Sequence, residues 1–180
     1  MMLERFLTFV GHRRTRRISL AVALAVYALE SVVPAFLMRT DPATPWRLDI
    51  PWLYQPESAR GIIDQLGVAG PSVVAASHVV LDVPFPLAYA VCLSSYSIRL
   101  WGRRADGSRL GELGVMASVA AAAADLTENA GIVGMLLLYP GDLAWLPTVT
   151  WVASWLKWAN LLVAGVIVAR GGVRRLRVHF

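Results

Sequence analysis

Residues 117–138 read ASVAAAAADLTENAGIVGMLLL, and the fold turns on how that stretch is interpreted. It is the sequence of a lipid-facing helix except at its centre, where Asp125, Glu128 and Asn129 interrupt it. A charged group at the middle of a membrane helix costs about 2.5–3.5 kcal/mol on insertion scales, so a helix carries one there only if it faces protein or water. The three polar residues stand at i, i+3 and i+4 and therefore leave one face of the helix. That face is the predicted working surface.

Working outward, the chain has 180 residues, 57% of them hydrophobic, with charge held in short blocks between long apolar runs. This is the composition of a polytopic membrane protein. About 20 residues cross roughly 30 Å of hydrocarbon. Four runs meet that length, at about 18–38, 73–98, 114–139 and 149–169. The expectation is an all-α, integral membrane four-helix bundle, a single transmembrane domain over 1–180 with an external loop at 40–70. Glu30 inside the first run, and the length of that run, argue against a cleaved signal peptide.

The net charge of +5 does not point to nucleic acid, because of where the arginines fall. Arg13, Arg14, Arg16 and Arg17 precede the first run. Arg99, Arg103, Arg104 and Arg109 separate the second from the third, and Arg170, Arg174, Arg175 and Arg177 follow the fourth. The other two loops hold Arg39, Arg47 and Arg60 against five acids. By the positive-inside rule both termini are cytoplasmic. The alanine-, valine- and arginine-rich composition points to a GC-rich bacterial genome, and the expected location is a bacterial inner membrane. A single cysteine, Cys92, excludes an intramolecular disulfide and a cysteine metal cage.

Several local features bear on the site. Leu3, Phe6, Leu7 and Val10 have the spacing of a short helix on the membrane surface, a frayed terminus being the alternative. Pro34 frees the carbonyl of Glu30, and the plainer reading there is a proline kink. In the external loop Glu57–Leu66 is predicted to form a short helix with Ile62, Ile63 and Leu66 on one face, so the loop either caps the bundle or is passive. The second run contains His78 and Asp82 at i, i+4, then Pro84, Phe85, Pro86 and Tyr89. Pro84 and Pro86 free the carbonyls of Val80 and Asp82, so a break is expected beside ionisable groups at membrane depth. In the fourth run Trp151, Trp155 and Trp158 form a stripe that reads first as an aromatic belt, with Lys157 and Asn160 on roughly the other side.

With both termini inside, Glu30, His78, Asp82, Asp125, Glu128, Asn129, Lys157 and Asn160 all fall in one layer, from the midplane outward. Four carboxyl groups against one or two cations cannot all stay ionised there. Some are protonated or a cation is bound. Three classes follow. The leading one is a membrane-embedded isomerase or cyclase working by acid–base chemistry on a lipid or isoprenoid. Its catalytic residues would be Asp125, Glu128, Asp82, His78 and Lys157, and Glu30, Asn129, Asn160, Phe85, Tyr89 and Trp158 would line the substrate. Proton or cation handling is the second class, although the spacing matches no established metal motif and Lys157 would repel a metal. The third is an assembly or accessory subunit, homo-oligomeric or bound to another membrane protein, held together by the polar cluster. No cofactor and no metal is called for.

His78/Asp82, Asp125/Glu128 and the Trp158/Asn160 region distantly resemble the EXPERA membrane proteins, which include the sterol isomerases. The resemblance implies a compact helical bundle with acid–base residues around a lipid pocket. It covers residue types in a few turns. The Phe85-Pro86 break and the Asp125–Asn129 motif depart from that family and resemble instead small bacterial four-helix membrane proteins with no assigned function.

Overall fold

The computed structural model describes residue 9 and residues 12–38, 48–68, 70–102 and 109–177, the side chains of 30, 31 and 33–38 apart. The side chains of Glu30 and Pro34, the N-terminal surface helix save Phe9, and Arg39, Trp46, Arg47, Arg103 and Arg104 lie outside the described residues. The described residues are helical, with no strand. The elements are α1 (Arg13–Met38), a 3-10 turn (Pro56–Ser58), α2 (Ala59–Gln65), α3 (Gly70–Val80), α4 (Pro84–Trp101), α5 (Arg109–Leu138) and α6 (Leu146–Arg177). Among the described residues three stretches are long and apolar enough to cross a membrane: Gly70–Trp101, Arg109–Leu138 and Leu146–Arg177. The first of these is two helices, α3 and α4, parted by a break at 81–83.

The prolines explain that break. Pro84 and Pro86 occupy the first turn of α4, where the missing N–H groups would have had no helical partner anyway, so they start a second helix and do not kink one. Before them α3 unwinds: the amides of Leu81 and Asp82 both donate to the Ser77 carbonyl, at 2.8 and 3.3 Å. The other helices extend past their apolar runs, α6 as far as Arg177, because backbone hydrogen bonding continues into the interface where the hydrophobic pattern stops. α1 likewise starts within the arginine block and remains helical past Pro34 to Met38.

The chain forms two compact units. Unit 1 draws on Met1–Leu24, Pro86–Ala123 and Lys157–Phe180, and unit 2 on Ala25–Phe85 and Ala124–Leu156.

Small residues set the packing in unit 1. Ser94, Ser95, Ser97 and Ser118 are all fully buried. A Cβ on Gly114 would come within 2.7 Å of the Ser97 Cβ, and one on Gly171 within 2.7 Å of the Leu100 Cβ. Backbones that approach this closely gain dispersion contact, which drives helix association where water does not. Trp101 Nε1 adds a hydrogen bond to the Ile167 carbonyl at 2.9 Å.

Unit 2 has a hydrophobic core to which the segment 48–66 contributes about half. Leu48, Tyr54, Ala59, Ile62, Ile63 and Leu66 pack with Val74, Ala75, Ile132, Met135, Leu136 and Leu143. The loop is thus a cap and not a passive connection. Ile62, Ile63 and Leu66 are buried on the face expected of them. Polar ties fix the cap. Arg60 donates to the carbonyls of Pro140 and Gly141 and lies over the Tyr139 ring, whose hydroxyl donates to Asp64. Trp151 Nε1 donates to the Pro51 carbonyl at 2.9 Å.

Candidate functional site

The polar face of α5 is buried as its spacing requires: Asp125 is 2% exposed, Glu128 0% and Asn129 3%. Within unit 2, α3 and the break after it bring His78 and Asp82 to that face. His78 Nδ1 lies 2.7 Å from Asp82 Oδ2 and 3.1 Å from Asn129 Oδ1. Two oxygens that can only accept flank one ring nitrogen, so Nδ1 carries the proton and donates to both. The amide orientation is fixed independently, because Asn129 Nδ2 donates to the Asp82 backbone carbonyl at 3.2 Å. That carbonyl is the one Pro86 leaves without a helical donor. Asn129 therefore closes the break in the backbone and holds the imidazole at the same time.

With Nδ1–H committed to Asp82 and Asn129, the second nitrogen, Nε2, is the one that exchanges a proton in a neutral imidazole. His78 and Asp82 are both buried.

One position back on α5, Glu128 meets a different partner. Ser154 Oγ, from α6, lies 2.8 Å from Glu128 Oε1 and 3.0 Å from the Asp49 carbonyl oxygen. A hydroxyl has one proton to give. It donates to Glu128 when the carboxyl is ionised. When the carboxyl is protonated the acid donates to Ser154, which turns its own proton to Asp49. The serine serves both states of Glu128. Two more hydroxyls of this unit, Tyr54 Oη and Thr150 Oγ1, are buried with no hydrogen-bond partner among the described residues. Burial, then the negative charges of Glu128 and Asp49, push the Tyr54 phenol well above its ordinary value and keep it neutral.

Asp49, Tyr54, Thr150 and Ser154 are site residues that the reading of the sequence missed. A signal existed for two of them. Thr150, Ser154 and Lys157 recur at i, i+4, i+7 on the face beside the tryptophan stripe, and all three are buried, while Trp155 and Trp158 are exposed. Nothing local marks Asp49 or Tyr54.

Of the remaining predicted residues, Phe85 is half-buried in unit 2 and packs against Tyr27, with ring centroids 6.1 Å apart. Tyr89 and Lys157 belong to unit 1 and are buried, Asn160 is half-buried, and Lys157 Nζ lies 5.7 Å from the centroid of the exposed Trp158 ring. Among the described residues no three His, Cys, Asp or Glu side chains are grouped so as to hold a metal ion. Compared with protein-family models, curated proteins and solved structures, the chain matches none.

Proposed function

We propose that the protein is an acid–base enzyme of the bacterial inner membrane, isomerase or cyclase in type, acting on a lipid or isoprenoid substrate. In this reading the chain crosses the bilayer four times as a helical bundle, α1 being the first crossing, with both termini cytoplasmic. The observation that carries the proposal is His78 Nδ1 held by Asp82 and Asn129, which leaves Nε2 as the working nitrogen. Glu128, alternately served by Ser154, is the complementary acid. For a double-bond isomerisation Nε2 takes an allylic proton, the imidazolium is stabilised by Asp82, and the Glu128 carboxylic acid delivers a proton at the far carbon. One proton leaves the substrate and one arrives. Exchange with solvent then restores both groups.

Solvent exchange gives a test that works while the substrate is still unidentified. Wild type is incubated with total bacterial lipid in D2O and the lipids are read by mass spectrometry. A lipid or isoprenoid species gains deuterium with wild type and not with His78→Gln or Glu128→Gln, both of which still insert. No labelled species, or equal labelling by the variants, sinks the proposal.

Asn129 favours a second reading. Its donation to the orphaned Asp82 carbonyl is what a purely structural fastening of the broken helix requires. A structural cluster predicts loss of folding on single replacement and no deuterated lipid in any sample.

A further inference from the structure

Unit 1 contains a cavity of about 350 Å³ lined by Arg13, Arg16, Arg17, Tyr96, Arg99, Leu100 and Arg175. That volume lies within the ~300–1,000 Å³ range of ligand pockets. Arg13, Arg16 and Arg17 come from one face of α1 at i, i+3, i+4, Tyr96, Arg99 and Leu100 from one face of α4 with the same spacing, and Arg175 from the end of α6. Three separate elements converge to place five guanidinium groups around one space. Among the described residues no carboxylate lines it.

Arg16 makes this more than a basic surface. It is 5% exposed, and the partner the structure gives its guanidinium is the Tyr96 ring, 5.3 Å from its centroid. A buried guanidinium without a counter-charge is strongly unfavourable, and a cation–π contact of about 0.5–2 kcal/mol does not offset it. Four further positive charges around the same cavity make the imbalance worse. The arrangement becomes favourable when an anion fills the space. The fork geometry of arginine selects among anions, since it matches the paired oxygens of a phosphate. Arg175 is already positioned by donating from its Nη2 to the Arg99 carbonyl.

We infer that this cavity is a binding site for a phosphate group, carried by an anionic phospholipid or free in solution. Arg16 is its inner anchor, and Arg13, Arg17, Arg99 and Arg175 are its rim. The site shares no residue with the acid–base cluster of unit 2, so it stands or falls independently of the enzyme proposal.

The test uses the full-length protein in neutral detergent, freed of co-purified lipid, and reads its thermal unfolding in two arms. One titrates inorganic phosphate against chloride at matched ionic strength. The other compares bicelles of phosphatidylcholine alone with bicelles containing phosphatidylglycerol. A rise in melting temperature with phosphatidylglycerol alone assigns the site to a lipid headgroup. A rise with phosphate alone assigns it to the free ion, and a rise with both assigns it to the phosphate group from either source. In each case Arg175→Gln weakens the apparent affinity about fivefold, as one interfacial cation would, and Arg16→Gln weakens it about tenfold or more. Arg175 is exposed, so its variant folds even if the Arg16 variant does not. If neither ligand raises the melting temperature, or if Arg175→Gln and Arg16→Gln respond as wild type does, the inference is wrong.

Discussion

In unit 2 two buried ionisable side chains of the candidate site are met by polar atoms: His78 by Asp82 and Asn129, and the Oε1 of Glu128 by Ser154. In unit 1 the guanidiniums of Arg13, Arg17, Arg99 and Arg175 stand at helix ends and are exposed, and the buried one, Arg16, rests against an aromatic ring. The contrast lies in how each charge avoids the cost of lost water. The first set replaces water with protein hydrogen bonds at fixed distances. The second keeps its water or, at Arg16, is completed by an anion. Removal of a member should accordingly be costly in the first set and cheap in the second.

The largest effect is expected at Asp82. Asp82→Ala removes the acceptor nearest to His78 Nδ1 and breaks a buried hydrogen-bonded pair, at about 3–5 kcal/mol. Arg17→Ala, an exposed residue of the other unit, should stay within about 0.5 kcal/mol of wild type. Reversible unfolding in mixed micelles measures both. Equal costs would erase the distinction between the two regions.

A smaller loss is expected at Asn129, and it dissects how the cluster is built. Asn129→Leu keeps the branched shape but strips the donor from the Asp82 carbonyl, leaving a buried acceptor unmade at about 1–3 kcal/mol. Asn129→Asp also lacks that donor and adds a carboxyl group beside His78, so it should be no more stable than the leucine variant near neutral pH. If Asn129→Leu melts with wild type, the break after α3 is satisfied without Asn129 and the residue has no fastening role.

Asn129 also shows where the sequence stops being informative. The i, i+3, i+4 spacing of Asp125, Glu128 and Asn129 made their common burial legible, and Pro86 made it legible that the Asp82 carbonyl would need a donor. Both follow from local backbone geometry. That Asn129 supplies the donor was not legible, because the two residues are 47 positions apart and their meeting depends on how α3 and α5 pack. The loop before α3 divides in the same way. The face formed by Ile62, Ile63 and Leu66 could be read from helical periodicity. The burial of Leu48 and Tyr54 against Ile132 and Met135 rests on long-range packing that no local pattern encodes. Arg16 is the sharpest case. In sequence it is one of four similar arginines, and only the convergence of α1, α4 and α6 separates the buried one from its neighbours.

Tyr54 gives the smallest effect near neutral pH and the most specific signature. Its hydroxyl is buried with no hydrogen-bond partner among the described residues, so Tyr54→Phe removes an unsatisfied polar group and should be neutral or slightly stabilising at about pH 7. The pH dependence has a definite sign. Burial and the charges of Glu128 and Asp49 raise the phenol above its ordinary value of 10.0 in the folded protein, while the unfolded chain titrates near that value. Above it the unfolded state has already released the proton that the folded state still holds, so the unfolded state binds fewer protons and stability falls as pH rises. Wild type should therefore lose stability progressively above pH 10.0, and Tyr54→Phe should remove that part of the loss. Stability measured at neutral pH and again on the alkaline side separates the two contributions. A mutant whose alkaline limb overlays that of wild type would mean that water or another donor reaches the phenol, and that the capped unit is less dry than the core packing implies.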